Sequence, residues 1–168
     1  MNYELKQLSI HDSEDVFRML KAIPAEENGF MNPAAALTAE EFPAWLASRA
    51  QEAERTDIAD GWRVPQAIYW LYADGKPVGM GKLRYFLTDA LRRGGGHIGY
   101  AILPEERGQG HGTRLLAGIL HEAALRGIDQ ALVTVNNNNP ASIRVAMKCG
   151  GVIDEVTDDH HFIWCPCQ

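Results

Sequence analysis

A glycine-rich turn between a predicted strand and a predicted helix constrains this chain most. Residues 98–115 have the sequence IGYAILPEERGQGHGTRL, in which an apolar segment is followed by glycines at every second position from 108 to 112. Glycine allows close approach to the backbone because it has no side chain. The unpaired N–H groups and the dipole of a helix start attract anions. The segment therefore predicts an anion site, suited to a diphosphate, built from backbone groups.

Two common phosphate-binding motifs do not fit this turn. A Walker A loop continues with Gly-Lys-Ser or Gly-Lys-Thr, whereas Gly112 is followed by Thr113 and Arg114. The dinucleotide-binding fingerprint requires a further glycine at the position of Thr113. The glycines by themselves still permit a plain connection or a nucleotide-binding domain of another type.

A second strand-to-helix junction follows further along the chain. Residues 131–135, with the sequence ALVTV, are rich in β-branched side chains and predict a strand. Asn139 is a good helix N-cap, Pro140 a good first helical residue and Gly150 a good helix stop. Capping alone accounts for Asn139, and a role in ligand binding is the alternative.

Together the two junctions resemble the acetyl-CoA-binding segments of the GCN5-related N-acetyltransferases. The pattern Arg107-x-x-Gly110-x-Gly112, preceded by Ile102-Leu103-Pro104, is similar to the family's glycine motif, and Asn139-x-x-Ser142 is similar to its second segment. The resemblance covers about residues 67–164. It implies an enzyme that moves the acetyl group of acetyl-CoA to an amine by direct attack in a ternary complex, without a metal.

The resemblance also implies an α/β (α+β) fold, in which a mixed, mostly antiparallel sheet carries helices on both faces. Hydrophobic periodicity predicts elements in the matching order β-α-α-β-β-β-α-β-α-β-β. Residues 26–33 and 55–66 are predicted loops, and residues 87–96, which end in glycines, a mobile connection. The predicted strands are 3–8, 67–73, 77–86, 97–103, 131–135, 152–156 and 161–165, and the predicted helices are 13–23, 38–54, 110–126 and 140–149.

The resemblance further implies which residues bind acetyl-CoA. Backbone groups of Ile102 and Leu103 would hold the pantetheine arm and the thioester. The N–H groups of the turn would hold the pyrophosphate, and the second junction would face the cofactor. The implied set is Ile102, Leu103, Arg107, Gly108, Gln109, Gly110, His111, Gly112, Thr113, Asn139 and Ser142.

Acetyl transfer needs a base that frees the lone pair of the amine. The family often places one near the start of the fourth strand, where His97 lies, although a histidine at a strand end can also simply bond to a backbone carbonyl. Tyr100 is a second candidate and faces the opposite side of that strand. Glu26 and Glu27, between the first two helices, are either a base, a site for a cationic acceptor or a solvated pair.

One position departs from the family pattern. Many members carry a tyrosine after the Asn-x-x-Ser segment that protonates the leaving thiolate, and this position falls on Ala146. Water or Tyr100 could donate instead, or the thiolate could leave without help, because a thiolate is a tolerable leaving group near neutral pH. The departure also keeps open a non-catalytic acyl-CoA-binding or sensor module.

Composition narrows the partners. The 168 residues are predicted to form a single domain, residues 1–168, and their net charge of −6 argues against nucleic acid and anionic membranes as partners. The N-terminal residues lack the apolar stretch of a signal peptide, and the longest apolar run, 67–73, is too short to span a bilayer. Three cysteines do not form a disulfide framework and favour the cytoplasm. The oligomeric state stays open, with a homodimer among the options.

Two local clusters of polar residues remain. Arg84, Arg92 and Arg93 give a basic region that hints at a carboxylate or phosphate on the acceptor. Near the C-terminus two histidines and two cysteines, at positions 160, 161, 165 and 167, match no standard zinc spacing, and alternation along a last strand explains them as well. No metal site is predicted.

Overall fold

The computed structural model describes residues 1–57 and 60–168, and it contains strands, helices and two short 3₁₀ turns. The 3₁₀ turns are Pro33–Ala36 and Pro104–Glu106. The elements in chain order are β1 (Tyr3–Gln7), α1 (Glu14–Ala22), β2 (Glu26–Glu27), β3 (Phe30–Met31), α2 (Phe42–Glu54), β4 (Gln66–Ala73), β5 (Lys76–Arg84), α3 (Asp89–Arg93), β6 (Ile98–Ile102), α4 (His111–Leu125), β7 (Gln130–Asn136), α5 (Pro140–Lys148), β8 (Val152–Val156) and β9 (His160–Pro166).

The strands form two main sheets with antiparallel pairing. One sheet has the order β1-β4-β5-β6 and the other the order β7-β9-β8, while β2 and β3 form a separate hairpin. The predicted fold, with α and β elements mixed, antiparallel strands and helices packed on the sheets, is confirmed. None of the described helices combines the length and the apolar composition that crossing a membrane requires.

Strand β4 is buried on both faces, which explains its continuous apolar sequence. Its odd-numbered side chains, such as Tyr69 and Leu71, pack in the core that includes α4. Its even-numbered side chains, such as Trp70, pack in a second core with α1 and α2. Period-two alternation thus gives the central sheet a helix layer on each side. The α4 residues that pack against the sheet are all buried: Leu115, Leu116, Ile119, Leu120 and Ala123.

Two predicted loops contain secondary structure. Residues 26–33 include the hairpin β2–β3, whose turn is formed by Asn28 and Gly29 at φ values of 51° and 82°. Asn-Gly is a strong signal for such a turn because both residues tolerate positive φ. The predicted mobile connection 87–96 instead contains α3, and the Thr88 hydroxyl accepts a hydrogen bond from the N–H of Leu91. The predicted loop 55–66 includes residues 58 and 59, which lie outside the described residues.

Thr38 and Glu41, at the start of the predicted helix 38–54, form a capping box. The Glu41 carboxylate accepts from the N–H of Thr38 at 2.9 Å, and the Thr38 hydroxyl accepts from the N–H of Glu41 at 3.3 Å. These bonds close a turn that precedes the helix, because α2 begins at Phe42 and not at residue 38. Helix boundaries depend on the whole terminal turn, so a local motif places them only to within a few residues.

The two sheets meet at His97, immediately before β6. Its backbone N–H donates to the carbonyl of Leu132 at 2.8 Å, and its Nδ1 accepts from the N–H of Leu132 at 2.9 Å. On its other side the carbonyl of His97 accepts from the N–H of Arg84 in β5. Beyond this junction β6 and β7 separate, and both strands line a cavity.

Acid should weaken folding through His97. Burial, together with the charges of Arg92 and Arg84, lowers the pKa of His97 from 6.5 to about 4. Below pH 6.5 the unfolded chain binds a proton at this imidazole while the folded chain does not, so stability falls as the pH falls toward 4. In urea titrations we expect this group to lower the free energy of unfolding by up to about 3 kcal/mol across that interval.

The matched variants for this experiment are His97→Asn and His11→Asn. The first removes the buried imidazole and should flatten this part of the pH dependence. The second removes an exposed imidazole and should leave the dependence as it is in the wild type. Equal slopes for the wild type and His97→Asn would contradict the assignment.

Candidate active site

A cavity of about 810 Å³ lies between β6 and β7. This volume is within the size range of ligand and cofactor sites. Its walls come from the turn before α4, the start of α5, the hairpin β2–β3, strand β5 and the glycines before β6. Its lining residues include Glu27, Phe30, Met31, Trp62, Lys82, Arg84, Gly94, Gly95, Tyr100, Ile102, Arg107, Gly108, Gly110, His111, Gly112, Thr113, Thr134, Asn136, Asn139, Ser142, Arg144, Val145, Lys148 and His160.

The glycine-rich turn presents a run of backbone donors to this cavity. Among the described residues, the N–H groups from Gly108 to Thr113 have no backbone acceptor. Gly108 and Gly110 have φ values of 77° and 85°, and a Cβ on either would meet nothing within 4 Å. The turn therefore needs glycine for its conformation, and the space beside it is open to a ligand. An anion site at this turn stays a prediction, and these donors and this space are what it requires.

The start of α5 forms the facing wall. Asn139 caps this helix, because its side-chain oxygen accepts from the N–H of Ser142 at 3.4 Å, and both residues line the cavity. The Ser142 hydroxyl lies 2.8 Å from the hydroxyl of Tyr100. Arg144 and Lys148 add positive charge on the same helix. Asn139 therefore both caps α5 and lines the cavity.

Alternation along β6 decides which backbone groups face the cavity. The N–H of Leu103 donates to the carbonyl of Val78 in β5 at 2.8 Å. In an antiparallel ladder such positions alternate with positions whose N–H and C=O point away from the partner strand. Tyr100 and Ile102 therefore direct their backbone groups to the cavity side. The expected contribution of Leu103 backbone groups to the cavity is absent, because its N–H is bonded to β5 and the residue is not part of the lining. Its side chain packs in the core with α1 and α2.

Arg107 uses its side chain to connect the turn with the hairpin. Its Nε donates to the carbonyl of Ile102 at 3.1 Å, and its guanidinium forms an ion pair with Glu27, with Nη1 at 3.3 Å from Oε2. The side chain of Gln109 bonds to Glu106 at 3.3 Å and does not line the cavity. At these two positions the backbone N–H of Gln109 is left for an anion, whereas that of Arg107 donates to the carbonyl of Pro104 at 3.4 Å.

His111 is buried at the first position of α4. Its Nδ1 lies 2.9 Å from the hydroxyl of Tyr3, and its Nε2 lies 3.7 Å from a carboxylate oxygen of Glu106. The imidazole therefore anchors the turn to the N-terminal strand. The contribution of His111 to the candidate site is its backbone N–H.

The two glutamates of the hairpin occupy different places. Glu27 lines the cavity and is half-exposed, whereas the carboxylate of Glu26 accepts from the N–H of Gly29 at 3.0 Å and is not part of the lining. A Cβ on Gly29 would lie 3.6 Å from Oδ1 of Asn136, at the end of β7. The hairpin therefore extends across the space between β6 and β7 and covers the cavity on that side.

The surroundings of His97 and Tyr100, two of the predicted catalytic residues, determine whether each side chain carries a proton. Nδ1 of His97 already accepts a backbone hydrogen bond, its pKa is lowered to about 4, and it does not line the cavity. Tyr100 does line the cavity, and burial raises the pKa of its hydroxyl to about 12. His97 is therefore neutral and structural in this geometry, and Tyr100 keeps its proton.

The structure thus brings together most of the predicted site residues. Those that line the cavity are Glu27, Tyr100, Ile102, Arg107, Gly108, Gly110, His111, Gly112, Thr113, Asn139 and Ser142. Those that do not are Glu26, His97, Leu103 and Gln109.

One end of the cavity is formed by Lys82, Arg84 and Trp62, and His160 also belongs to the lining. Of these four residues, the sequence patterns point to an acceptor site only for Arg84. Arg84 belongs to the basic region seen in the sequence, but Trp62 gives no local signal because it contacts Arg84 only through the tertiary fold, at 5.3 Å from ring centre to guanidinium carbon. The sequence pattern around His160 suggests only a metal ligand or strand alternation.

No group of three or more His, Cys, Asp or Glu side chains that could hold a metal ion occurs among the described residues. The three cysteines are free thiols. Burial raises the pKa of Cys165 to about 12, so this thiol stays protonated and is a poor metal ligand. His160, His161 and Cys165 lie in β9, and Cys167 follows the end of that strand.

The chain belongs to the acetyltransferase (GNAT) family, whose model matches residues 34–151. This match contains both strand-to-helix junctions of the candidate site. No curated protein sequence matches the chain.

Solved structures support the same fold at low sequence identity. A GNAT-family acetyltransferase from Streptococcus pneumoniae has a TM-score of 0.65 and 18% identity, with 99% of this chain and 100% of that chain covered. YncA of Salmonella typhimurium, solved with its cofactor acetyl-CoA, has a TM-score of 0.64, 15% identity and coverages of 99% and 94%. Campylobacter jejuni N-acetyltransferase PseH, solved with acetyl coenzyme A, has a TM-score of 0.63, 10% identity and coverages of 99% and 100%.

Removing the cap of α5 should lower stability. Asn139→Ala deletes the oxygen that accepts from the N–H of Ser142, so we expect urea titrations to show a loss of about 1 kcal/mol in the free energy of unfolding. Asn138→Ala, at the exposed neighbouring position, is the matched control and should change stability much less. Equal losses in the two variants would show that the cap does not stabilise α5.

Proposed function

We propose that this protein is an N-acetyltransferase that moves the acetyl group of acetyl-CoA to an amine by direct attack in a ternary complex. The observation that carries the proposal is the run of unpaired N–H groups from Gly108 to Thr113, beside a cavity of about 810 Å³. Membership of the acetyltransferase family supports it. The structures of YncA and PseH with acetyl-CoA support the choice of cosubstrate.

The residues present fit acetyl-CoA. N–H groups of the turn would bind the pyrophosphate, and Arg144 and Lys148 would offset its negative charge. Backbone groups of Tyr100 and Ile102 would bond to the amide groups of the pantetheine arm, as an added strand bonds to a sheet edge. When bound, acetyl-CoA supplies an activated thioester, and N–H groups of β6 are the donors for its developing oxyanion.

Glu27 is the base in this proposal. It lines the cavity on the hairpin that covers it, and its ion pair with Arg107 fixes the direction of the carboxylate. A carboxylate at this place attracts a protonated amine and accepts its proton, directly or through a water molecule. Glu26 and His97 lie outside the lining, and Nδ1 of His97 already accepts a backbone hydrogen bond.

In this proposal Tyr100 lines the binding site and does not act as the acid that protonates the leaving thiolate. A hydroxyl with a pKa near 12 is a weak acid beside a thiol, whose pKa is about 8.5, so transfer of its proton to the thiolate is unfavourable. On α5 the side chain that lines the cavity is Val145, and Ala146 is buried in the core. The thiolate of CoA therefore leaves as an anion, without a protein acid, while the proton of the attacking amine goes to Glu27.

The same two residues favour a second candidate, a non-catalytic acyl-CoA-binding or sensor module. Neither Val145 nor Ala146 can donate a proton, and loss of an acid is what a binding module would tolerate. Turnover separates the two: acetylated product from any member of an amine panel supports the enzyme, and binding of acetyl-CoA without product supports the module.

Gly110→Asp should weaken acetyl-CoA binding, because a carboxylate would lie beside the donors for the phosphates. Gly110 has a φ of 85°, which Asp and Asn tolerate better than most residues, so Gly110→Asn makes the same backbone change without the charge. By calorimetry we expect Gly110→Asp to lose about tenfold or more in affinity relative to Gly110→Asn, a difference of about 1.4 kcal/mol.

Gly127→Asp is the control for this experiment. Gly127 follows the opposite end of α4 and has a φ of 83°, and a Cβ added there would likewise meet nothing within 4 Å. Gly127→Asp introduces the same backbone strain at a place distant from the turn, so acetyl-CoA affinity should stay unchanged. Equal affinities of the Gly110→Asp and Gly110→Asn variants would remove the turn from the site.

Glu27→Gln should lower kcat by roughly 10²–10⁴-fold, because it removes the base and keeps a group that can still bond to Arg107. Acetyl-CoA affinity should hardly change. Glu26→Gln changes the adjacent carboxylate outside the cavity and should keep kcat near the wild-type value. Pre-steady-state rates are the measurement of choice where product release limits turnover. A similar kcat and pH profile for Glu27→Gln and the wild type would exclude Glu27 as the base.

A further inference from the structure

Two cationic side chains lie at the end of the cavity away from the turn. In β5, Lys82 is opposite Gly99 and Arg84 bonds to the carbonyl of His97. Along β6 these positions lie about 10 Å and 16 Å before Ile102, the last residue of the strand, at roughly 3.3 Å per residue. Phosphates bound at the turn therefore leave these two charges uncompensated.

The protein partners of both cations are neutral. Nζ of Lys82 donates to the carbonyl of Met31 at 2.6 Å, and Nη1 of Arg84 donates weakly to the carbonyls of Gly95 and Gly96 at 3.3 and 3.4 Å. Within the described residues, Nε of Arg84 is buried and has no acceptor. An unpaired buried donor on a charged group costs free energy, so this arrangement is short of an acceptor.

The acidic residue whose charge acts on both cations is Glu52 in α2. Its carboxylate is already engaged, because it accepts from Nη1 of Arg49 at 2.8 Å and from Nε2 of Gln66 at 3.1 Å. Burial, with the charges of Arg84 and Arg49, lowers the pKa of Lys82 to about 8. This end of the cavity thus holds more positive charge than the protein compensates.

The surrounding walls fix these cations and are apolar. The ring of Trp62 lies over the Arg84 guanidinium, and a Cβ on Gly95 would come within 2.6 Å of that ring, so glycine is what lets the indole lie here. The ring of Phe30 lies 4.9 Å from Nζ of Lys82. Aromatic faces hold the two cations in place and provide a surface for hydrocarbon groups.

We infer that the acceptor is an amino acid or a similar small amine with a carboxylate, which Lys82 and Arg84 bind while its amine points toward the opening between β6 and β7. This inference rests on the proposed acetyl transfer, since it names the acceptor class of that reaction. A guanidinium binds a planar carboxylate through two parallel hydrogen bonds, and the ammonium group of Lys82 supplies the second charge. The apolar walls contact the hydrocarbon part of the acceptor.

The test compares acids with their neutral counterparts. The common L-amino acids and straight-chain ω-amino acids are each paired with the corresponding carboxamide, which keeps the amine and removes the charge. Affinities are measured by calorimetry with CoA present, and acetylated products are measured by mass spectrometry. For the best-bound pair we expect the wild type to prefer the acid by about tenfold or more.

Substitutions of Lys82 and Arg84 test whether these two side chains cause the preference for acids over carboxamides. Lys82→Met and Arg84→Gln should each reduce the preference for the acid to about twofold or less, with acetyl-CoA affinity retained as evidence of folding. Arg93→Gln removes an exposed arginine that does not line the cavity and should keep the full preference. The Lys82 side chain makes one hydrogen bond, to the carbonyl of Met31, so Lys82→Met carries the test if Arg84→Gln does not fold.

The outcomes separate this inference from the proposed function. Equal affinity of the wild type for acids and carboxamides, or a preference retained in folded Lys82→Met, overturns the carboxylate site. Binding that prefers acids, without acetylated product, supports the carboxylate site and overturns the proposed acetyl transfer. Acetylation of amines with no preference for acids supports the transferase and overturns the inference.

Discussion

The candidate site depends on the fact that the two sheets are joined at one end and apart at the other. His97 makes the junction through two hydrogen bonds with Leu132. Beyond it, within the described residues, β6 and β7 do not pair, so Tyr100 and Ile102 have backbone groups that face the cavity. Unpaired backbone groups are costly unless water or a ligand satisfies them. A binding surface made of main chain is the direct consequence of this separation.

The junction also explains why His97 is a poor base. Its Nδ1 accepts a backbone N–H only while the imidazole lacks a proton there, and burial keeps the ring neutral. Protonation would remove the acceptor that joins the sheets. A histidine that holds the fold together in this way is not available to exchange protons with a substrate, which leaves the half-exposed carboxylate of Glu27 as the group that faces the cavity.

Charge is distributed very differently in the cavity and in the whole chain. The net charge is −6, yet both ends of the cavity are positive. At one end the N–H groups of the turn act with Arg144 and Lys148, and at the other Lys82 and Arg84 have no carboxylate partner among the described residues. Two positive ends fit a reaction with an anionic cosubstrate and an anionic acceptor, whereas net charge governs only long-range attraction.

The sequence determined the features that depend on near neighbours along the chain. The order of the main elements, the glycine turn at 108–112 and the Asn139 cap follow from periodicity, conformational freedom and local hydrogen bonds, and the Asn28-Gly29 turn carries a local signal within a segment predicted as a loop. The tertiary structure alone decided which side chains meet across the chain. It turned His97 into a junction, took Leu103 into a core and placed Trp62 on Arg84, because these contacts join segments that no local pattern relates.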